Sequence, residues 1–299
     1  MIQMIGINKT FDKQPALKDV HLAIGRGSIY GLIGSNGAGK TTIIKLLAGI
    51  YKQDSGEVLC EGNPVYETPM LKEKIFYIPD HPYFFAHYTV KHMAQFYKSI
   101  YPSWNESRFQ RLAEVFDFSM NKKIHTFSKG VQRQAAFWLA LSTMPEVLIL
   151  DEPMDGLDPV ARKKVKNLLI HDVADRDMTV LISSHNLREI EDLCDHIGIL
   201  HQGMLLFEKE LDDLKSDVHK VQLAYKGDPP KDLGDSLKML HCEKRGSVML
   251  CIIKGKEEEI EKVVRLTEPV IFDILPLTLE EIFIYEMGDI GYAVKNVIV

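Results

Sequence analysis

Through the first two-thirds of the chain, short continuous apolar runs alternate with stretches whose apolar residues recur every three or four positions. Ser28–Ile33, Val147–Leu150 and Thr179–Ser183 read as buried strands, and Thr41–Ala48 and Pro159–Ile170 as helices between them. That rhythm predicts an α/β fold in which a parallel sheet is flanked by helices. The helix from Pro159 has Asp158 as a candidate N-cap, proline at its first position, and Val160, Val165, Leu168 and Leu169 along one side. Another helix is expected from Asn186, because Leu187, Ile190, Leu193 and Cys194 keep helical spacing.

Between Pro82 and Pro145 the pattern changes to aromatic-rich helices, with Ser103 and Glu106 at capping-box spacing, which predicts a helical insertion over 82–145. Beyond Glu210 the texture changes again. Val218–Tyr225, Ser247–Ile253 and Val270–Leu275 read as strands, Glu257–Leu266 as a helix, and Gly227-Asp228-Pro229-Pro230 as a turn. The expected division is an α/β domain over 1–210 and a small α+β appendage over 211–299. No internal repeat or low-complexity tract marks a solenoid or coiled coil.

Composition narrows the class. A chain of 299 residues with 45% hydrophobic and 26% charged residues buries a substantial core. The net charge of −6 argues against a broadly basic nucleic-acid surface, so no nucleic-acid partner is expected. Cys60, Cys194, Cys242 and Cys251 form no CxxC pair and are widely spaced, so neither a disulfide framework nor a zinc knuckle is expected. Met1–Gly6 has no charged stretch followed by an apolar one, the reading of a cytosolic protein. Runs such as Val248–Ile253 fall far short of the roughly 20 residues needed to span a bilayer. Any membrane role would need another chain.

The chemistry concentrates at three strand ends. Gly34-Ser35-Asn36-Gly37-Ala38-Gly39-Lys40-Thr41 matches G-x-x-x-x-G-K-[ST] directly after one strand and before a helix that continues with Thr42. Its glycines let backbone N–H groups turn toward a phosphate, the helix presents its positive end, and Lys40 adds a charge for the β and γ oxygens. The Thr41 hydroxyl is placed to ligate Mg²⁺. Val147–Leu150 delivers Asp151 and Glu152 at its C-terminal end, Asp151 for the magnesium shell and Glu152 as general base toward water. The strand Thr179–Ser183 ends at Ser184-His185, where His185 can donate to a γ-phosphate. The plain alternatives are a strand-to-helix turn, solvated loop acids and a structural histidine; the order of the three elements favours the chemical reading.

Together these residues resemble the nucleotide-binding subunit of ATP-binding-cassette (ABC) transporters. Thr126-Phe127-Ser128-Lys129-Gly130-Val131-Gln132 is similar to the family signature L-S-G-G-Q, with Lys129 and Val131 departing from it. Met154-Asp155-Gly156-Leu157-Asp158 is similar to the family's D-loop, which implies an interface role for Asp158 beside its capping one. The resemblance gives Phe11 the place of the aromatic that stacks on adenine; a core phenylalanine is the alternative. Asp80, after Ile78-Pro79, stands where the family has glutamine, and the implied role is at the magnesium and the attacking water.

The resemblance covers about 1–210 and implies a phosphate-loop NTPase (RecA-like) core with a helical subdomain. It implies ATP and Mg²⁺ as cofactors, and a homodimer or heterodimer with a second ABC ATPase subunit. Ser128 and Gly130 of each copy would cap the nucleotide of the other. It implies a transmembrane permease as partner, met near the aromatic run Pro82–Tyr88, and a peripheral location on the inner face of the cell membrane. Leu277–Phe283 and Tyr101–Glu106 resemble segments of bacterial ABC-2-type exporter ATPases. The rival class is a soluble cassette ATPase of DNA repair, chromosome organisation or translation, which usually carries long coiled-coil insertions or a second cassette; neither is in the sequence. His81, His87 and His92 read as interface or core residues, and no metal beyond Mg²⁺ is expected.

Overall fold

The computed structural model describes residues 2–227 and 233–289, which divide at Glu208 and Lys209 into two compact units. The first unit runs β1 (Ile2–Phe11), β2 (Gln14–Ile24), β3 (Ile29–Ile33), α1 (Lys40–Leu47), β4 (Ser55–Cys60), β5 (Asn63–Pro64), α2 (Pro69–Lys72) and β6 (Ile75–Ile78). It continues with α3 (Val90–Ile100), α4 (Glu106–Phe116), α5 (Lys129–Ser142), β7 (Val147–Asp151), α6 (Pro159–Arg176), β8 (Thr179–Ser184), α7 (Leu187–Ile190), β9 (His196–His201) and β10 (Met204–Glu210).

Its centre is a sheet in the order β10-β9-β3-β8-β7-β6, with β9, β3, β8, β7 and β6 parallel. Every residue of β3, β7 and β8 is buried, which explains why they read as apolar runs without alternation: helices and a second layer cover both faces. The second layer is an antiparallel sheet in the order β2-β1-β4-β5. Between the two sheets lies α1, whose Ile43 and Ile44 share one core with Ile7 and Val20 of the antiparallel sheet and Ile149 and Leu181 of the parallel one. Burying six such side chains stabilises the sandwich by roughly 1.5–3 kcal/mol each before entropy is counted.

Helix α5 is buried without a break from Arg133 to Ser142. It is therefore covered on every side, and its buried polar residues Arg133, Gln134 and Ser142 lie among apolar ones. Trp138, fully buried, donates from Nε1 to the Phe109 carbonyl at 2.8 Å and stacks on the Phe109 ring at 5.0 Å, joining α5 to α4.

Several local expectations change. The cap of α4 is Asn105, which accepts from Arg108 N at 2.9 Å, while the Ser103 hydroxyl donates to the Thr143 carbonyl at 2.6 Å. No Ser103–Glu106 capping box forms, because Ser103 is used to join the start of α4 to the end of α5. Helix α6 runs on to Arg176, with its buried stripe at Ala161, Val165, Leu169 and Asp172; Val160 is 66% exposed, since capping by Asp158 turns the first helical residues outward. Helix α7 ends after one turn at Ile190. Leu193 and Cys194 are buried anyway, as the chain turns down to start β9.

The second unit contains α8 (Leu211–Ser216), β11 (Val218–Ala224), α9 (Leu233–Ser236), β12 (Lys238–Arg245), β13 (Val248–Lys254), α10 (Glu257–Arg265), β14 (Ile271–Leu275) and α11 (Leu279–Asp289). Its antiparallel sheet has the order β12-β13-β11-β14. Ile260 and Val264 of α10 pack on Val221, Leu223, Cys251 and Ile253. Register sets Cys242 opposite Cys251, and the two form a disulfide. Sequence spacing gave no hint of this pair, since the partners sit on neighbouring strands whose pairing is set by the sheet. Thr278 and Glu281 form a capping box at the start of α11, with Glu281 N donating to Thr278 Oγ1 at 3.2 Å and Thr278 N to Glu281 Oε2 at 3.0 Å. Asp228, Pro229 and Pro230 of the expected turn lie outside the described residues.

Candidate functional site

The strand register brings the three chemical segments together. β8 lies between β3 and β7, with Ile33 opposite Ser184 and Asp151 opposite Ser183. The loops leaving β3, β7 and β8 therefore start level with one another at the carboxyl edge of the sheet, where open α/β folds bind ligands.

The phosphate loop turns from β3 into α1. Gly39 caps α1 at φ 111°, a conformation that strains other residues, and a Cβ there would approach Leu17 Cδ2 to 2.9 Å. A Cβ on Gly34 would collide with the Leu200 carbonyl. Ser35, Asn36, Gly37, Ala38, Gly39, Lys40, Thr41 and Thr42 line a cleft of about 440 Å³ whose far wall is Asp80, Asp151 and Glu152. Pro15, Ala16 and Lys18 of β2 and Gln202-Gly203 of the β9–β10 turn close its sides.

Lys40 is 6% exposed; its ammonium donates to the Gly34 carbonyl at 2.6 Å and lies 3.2 Å from Glu152 Oε1. The other carboxylate oxygen of Glu152 meets His185 Nδ1 at 2.9 Å and accepts from His185 N at 3.3 Å. Asp151 accepts from the Ser183 hydroxyl at 2.7 Å, and Ser183 Oγ in turn accepts from Glu152 N at 3.0 Å. One serine on the middle strand thus orients both acids.

Glu152, Asp155 and His185 each bring a donor atom within 4.8 Å of the others. Both oxygens of the Glu152 carboxylate are already engaged, one by Lys40 and one by His185. We read the trio as part of the phosphate site rather than as a separate metal centre.

Phe11 stands outside the lining of this cleft. It is 39% exposed, meets the Tyr51 ring edge-on at 5.3 Å, and carries the Lys9 ammonium 5.3 Å over its face. Ser128, Gly130 and Asp158 also lie outside the lining. Ser128 caps α5, accepting from Val131 N at 3.4 Å, and Asp158 caps α6, accepting from Val160 N and Ala161 N at 2.9 Å each. Gly130 packs against the D-loop of its own chain: a Cβ on it would come within 2.5 Å of the Gly156 carbonyl. Met154 and Leu157, both buried, anchor that loop from beneath.

Two residues of the site carried no signal in the sequence. Tyr77 of β6 sits beside Asp151; burial, reinforced by the Asp151 and Asp80 carboxylates, pushes its phenol well above the usual range, so it stays a neutral neighbour of the acid. Arg133 of α5 donates to the main-chain carbonyls of Glu152 and Asp80 and, at 3.1 Å, to Asp80 Oδ1.

The chain is similar to known proteins along much of its length. The ABC transporter family model matches residues 17–155. The ABC transporter ATP-binding protein YtrB of Bacillus subtilis (strain 168) is 34% identical over 289 residues, 96% of this chain and 98% of that protein. The bacitracin transport ATP-binding protein BcrA of Bacillus licheniformis is 35% identical over 219 residues, 72% of this chain and 71% of that one. Among solved structures, an ATP-binding subunit of an ABC transporter superposes with a TM-score of 0.67 at 27% identity, covering 72% of this chain and 92% of that one. Similarity over nearly the whole length of a named ATP-binding protein, together with the shared cassette fold, shows that the chain belongs to the ABC transporter family as an ATP-binding, ATP-hydrolysing subunit.

Proposed function

We propose that this chain is the ATPase subunit of an exporter, closing as a dimer on Mg·ATP and driving a separate permease from the cytoplasmic face of the membrane. The observation that carries the dimer is the position of the signature. Ser128 is exposed at the start of α5, and no signature residue lines the chain's own phosphate cleft. A triphosphate held by the glycine loop has only loop, acid and turn residues around it, and a second cassette, another copy or a paralogue, would supply the missing cap.

Within each cleft, Lys40 and the amides of 36–42 hold the β and γ phosphates. Thr41, Asp151 and Asp80 are oxygen donors lining the same cleft, of the kind a hard divalent cation takes, and they would hold Mg²⁺. The cation, when bound, withdraws charge from the phosphate oxygens. Glu152 takes the proton of the attacking water, and His185, oriented through Nδ1 by Glu152, points Nε2 at the γ-phosphate. Phe11, backed by Tyr51, stacks on adenine. ADP lacks the phosphate that both halves grip, so hydrolysis lowers the preference for the closed state.

For the permease, the exposed rings of Tyr83 (78%) and Phe85 (40%) and a cleft of about 630 Å³ lined by Ile50, Tyr66, Tyr77 and Tyr101 are the candidate contacts. Tyr77 thereby touches both that cleft and Asp151. No helix among the described residues is long and apolar enough to cross a membrane, in keeping with a separate permease. The transport named for BcrA, with the ABC-2-type likeness of Leu277–Phe283, supports an export role.

Purification of the tagged chain from detergent-solubilised membranes tests the reading. A polytopic membrane protein should accompany it in fixed ratio; nucleic acid in its place would overturn the transporter assignment. Ser128→Arg should leave nucleotide affinity of the monomer unchanged and abolish the ATP-dependent dimer in light scattering, because a bulky cation blocks the opposite cleft. Undiminished dimer would rule out the shared site.

A further inference from the structure

Arg133 is the link the sequence does not announce. Its side chain is only 8% exposed, and a guanidinium is buried at such a place only when its donors are used. One arm donates to the Glu152 carbonyl; the other donates to the Asp80 carbonyl and to its carboxylate. Those acceptors belong to the loops that leave β7 and β6, neighbouring strands with Ile78 opposite Leu150. Arg133 therefore reaches from the signature helix across two loops of the phosphate site.

The backbone of Glu152 explains what this contact does. Glu152 sits at φ 46°, in the left-handed region that a glutamate keeps only where its surroundings hold it there. Ser183 holds the N–H from β8 and Arg133 holds the carbonyl from α5. With both main-chain groups pinned, the carboxylate is directed at Lys40 and His185. Without the guanidinium, the carbonyl keeps only the longer hydrogen bond from Asp155 N at 3.4 Å, a weaker hold against relaxing to an extended conformation that would swing the carboxylate out of the cleft.

We propose that Arg133 is a positioning residue for hydrolysis: it holds the Glu152 carboxylate in place through the main chain and ties that placement, together with Asp80, to the position of the signature helix. The inference rests on the reading of Glu152 as the general base, and it extends that reading to coupling between sites. Five residues separate Arg133 from Ser128 on one rigid helix, so a movement of α5 that engages the opposite nucleotide also moves the strut behind the base of its own site. Gly130 lying against Gly156 adds a second contact of the same helix with the loop after Glu152.

The test compares Arg133→Gln, Arg133→Lys, Glu152→Gln and Asp172→Asn in the full chain, together with the membrane protein that co-purifies. Turnover, ADP affinity and melting temperature are measured for each. Asp172 lies on α6 away from the cleft and controls for stability alone. Arg133→Gln should lower kcat about 10- to 100-fold, the scale of misplacing a catalytic group by about 1 Å, with ADP affinity unchanged. Arg133→Lys keeps the charge but not the fork that spans two loops, so it should recover only part of kcat; it also serves if Arg133→Gln does not fold. Asp172→Asn should melt earlier yet keep its kcat below its melting range. If both Arg133 variants hydrolyse ATP at the parent rate while Glu152→Gln is inactive, the positioning role is wrong and the base assignment stands. A loss that follows melting temperature across Arg133 and Asp172 variants alike likewise overturns it, and an active Glu152→Gln overturns both.

Discussion

Glu152→Gln is expected to cut steady-state ATP turnover by about 10²- to 10⁴-fold while nucleotide stays bound. The amide has the size of the carboxylate; its oxygen can still accept from Lys40, the contact at 3.2 Å, while the NH2 in place of the other oxygen faces His185 Nδ1, the contact at 2.9 Å, so the cleft keeps its shape. What it loses is the capacity to take a proton. Since the phosphate-gripping groups, Lys40 and the loop amides, are untouched, ATP should remain intact and the closed dimer should accumulate. Rapid-quench measurement of phosphate release, read beside light scattering in Mg·ATP, checks both halves. Wild-type turnover from a species that remains monomeric would remove Glu152 from the mechanism.

Asp172→Ala should be the most destabilising single substitution in the first unit outside the apolar core. Asp172 is 1% exposed on α6 and holds two guanidinium groups: Arg108 of α4 on Oδ1, and Arg176 on Oδ2 at 3.0 Å. Arg176 also donates to the Pro145 carbonyl at 2.6 Å, so the cluster joins α4 and α6 to the segment entering β7. Removing the carboxylate leaves two largely buried cations facing each other without an anion, a loss of about 3–5 kcal/mol. At about 2–4 °C per kcal/mol for a unit of this size, the melting transition should fall by roughly 10 °C. Calorimetry should record the fall as an earlier transition of the unit that holds Asp172. An unmoved transition would mean that water replaces the carboxylate at no cost. The wild-type ion cluster is then only decoration between helices.

Some of this molecule is written in contiguous residues. The loop Gly34–Thr41 is legible because eight neighbours specify a turn, a helix start and a charge, and strand β7 because both of its faces are covered, leaving a bare apolar run ending in Asp151 and Glu152. The antiparallel sheet is not legible in the same way. Register shifts between Met4 and Ile7 and between Ile7 and Lys9, with Gly6 at φ 62°, break the two-residue alternation that would have announced β1. Leu193 and Cys194 keep helical spacing without being helical, because burial against β3 satisfies them as well as a helix would: an added Cβ on Gly31 would touch Cys194 Sγ at 3.0 Å.

What local spacing secures is the identity of the reaction and the candidates for its groups, since a few covalently adjacent residues dictate the backbone over one turn and the chemistry of their side chains travels with them. Which of those groups meet is a matter of register and packing. Arg133 is 19 residues from Glu152 and 53 from Asp80, and no periodicity links such positions; only the seating of α5 against β6 and β7 joins them. The same holds for Tyr77 beside Asp151 and for Cys242 opposite Cys251, partners that strand pairing sets side by side. It holds also for Ser128, whose exposure outside the lining of its own cleft is a property of the folded chain.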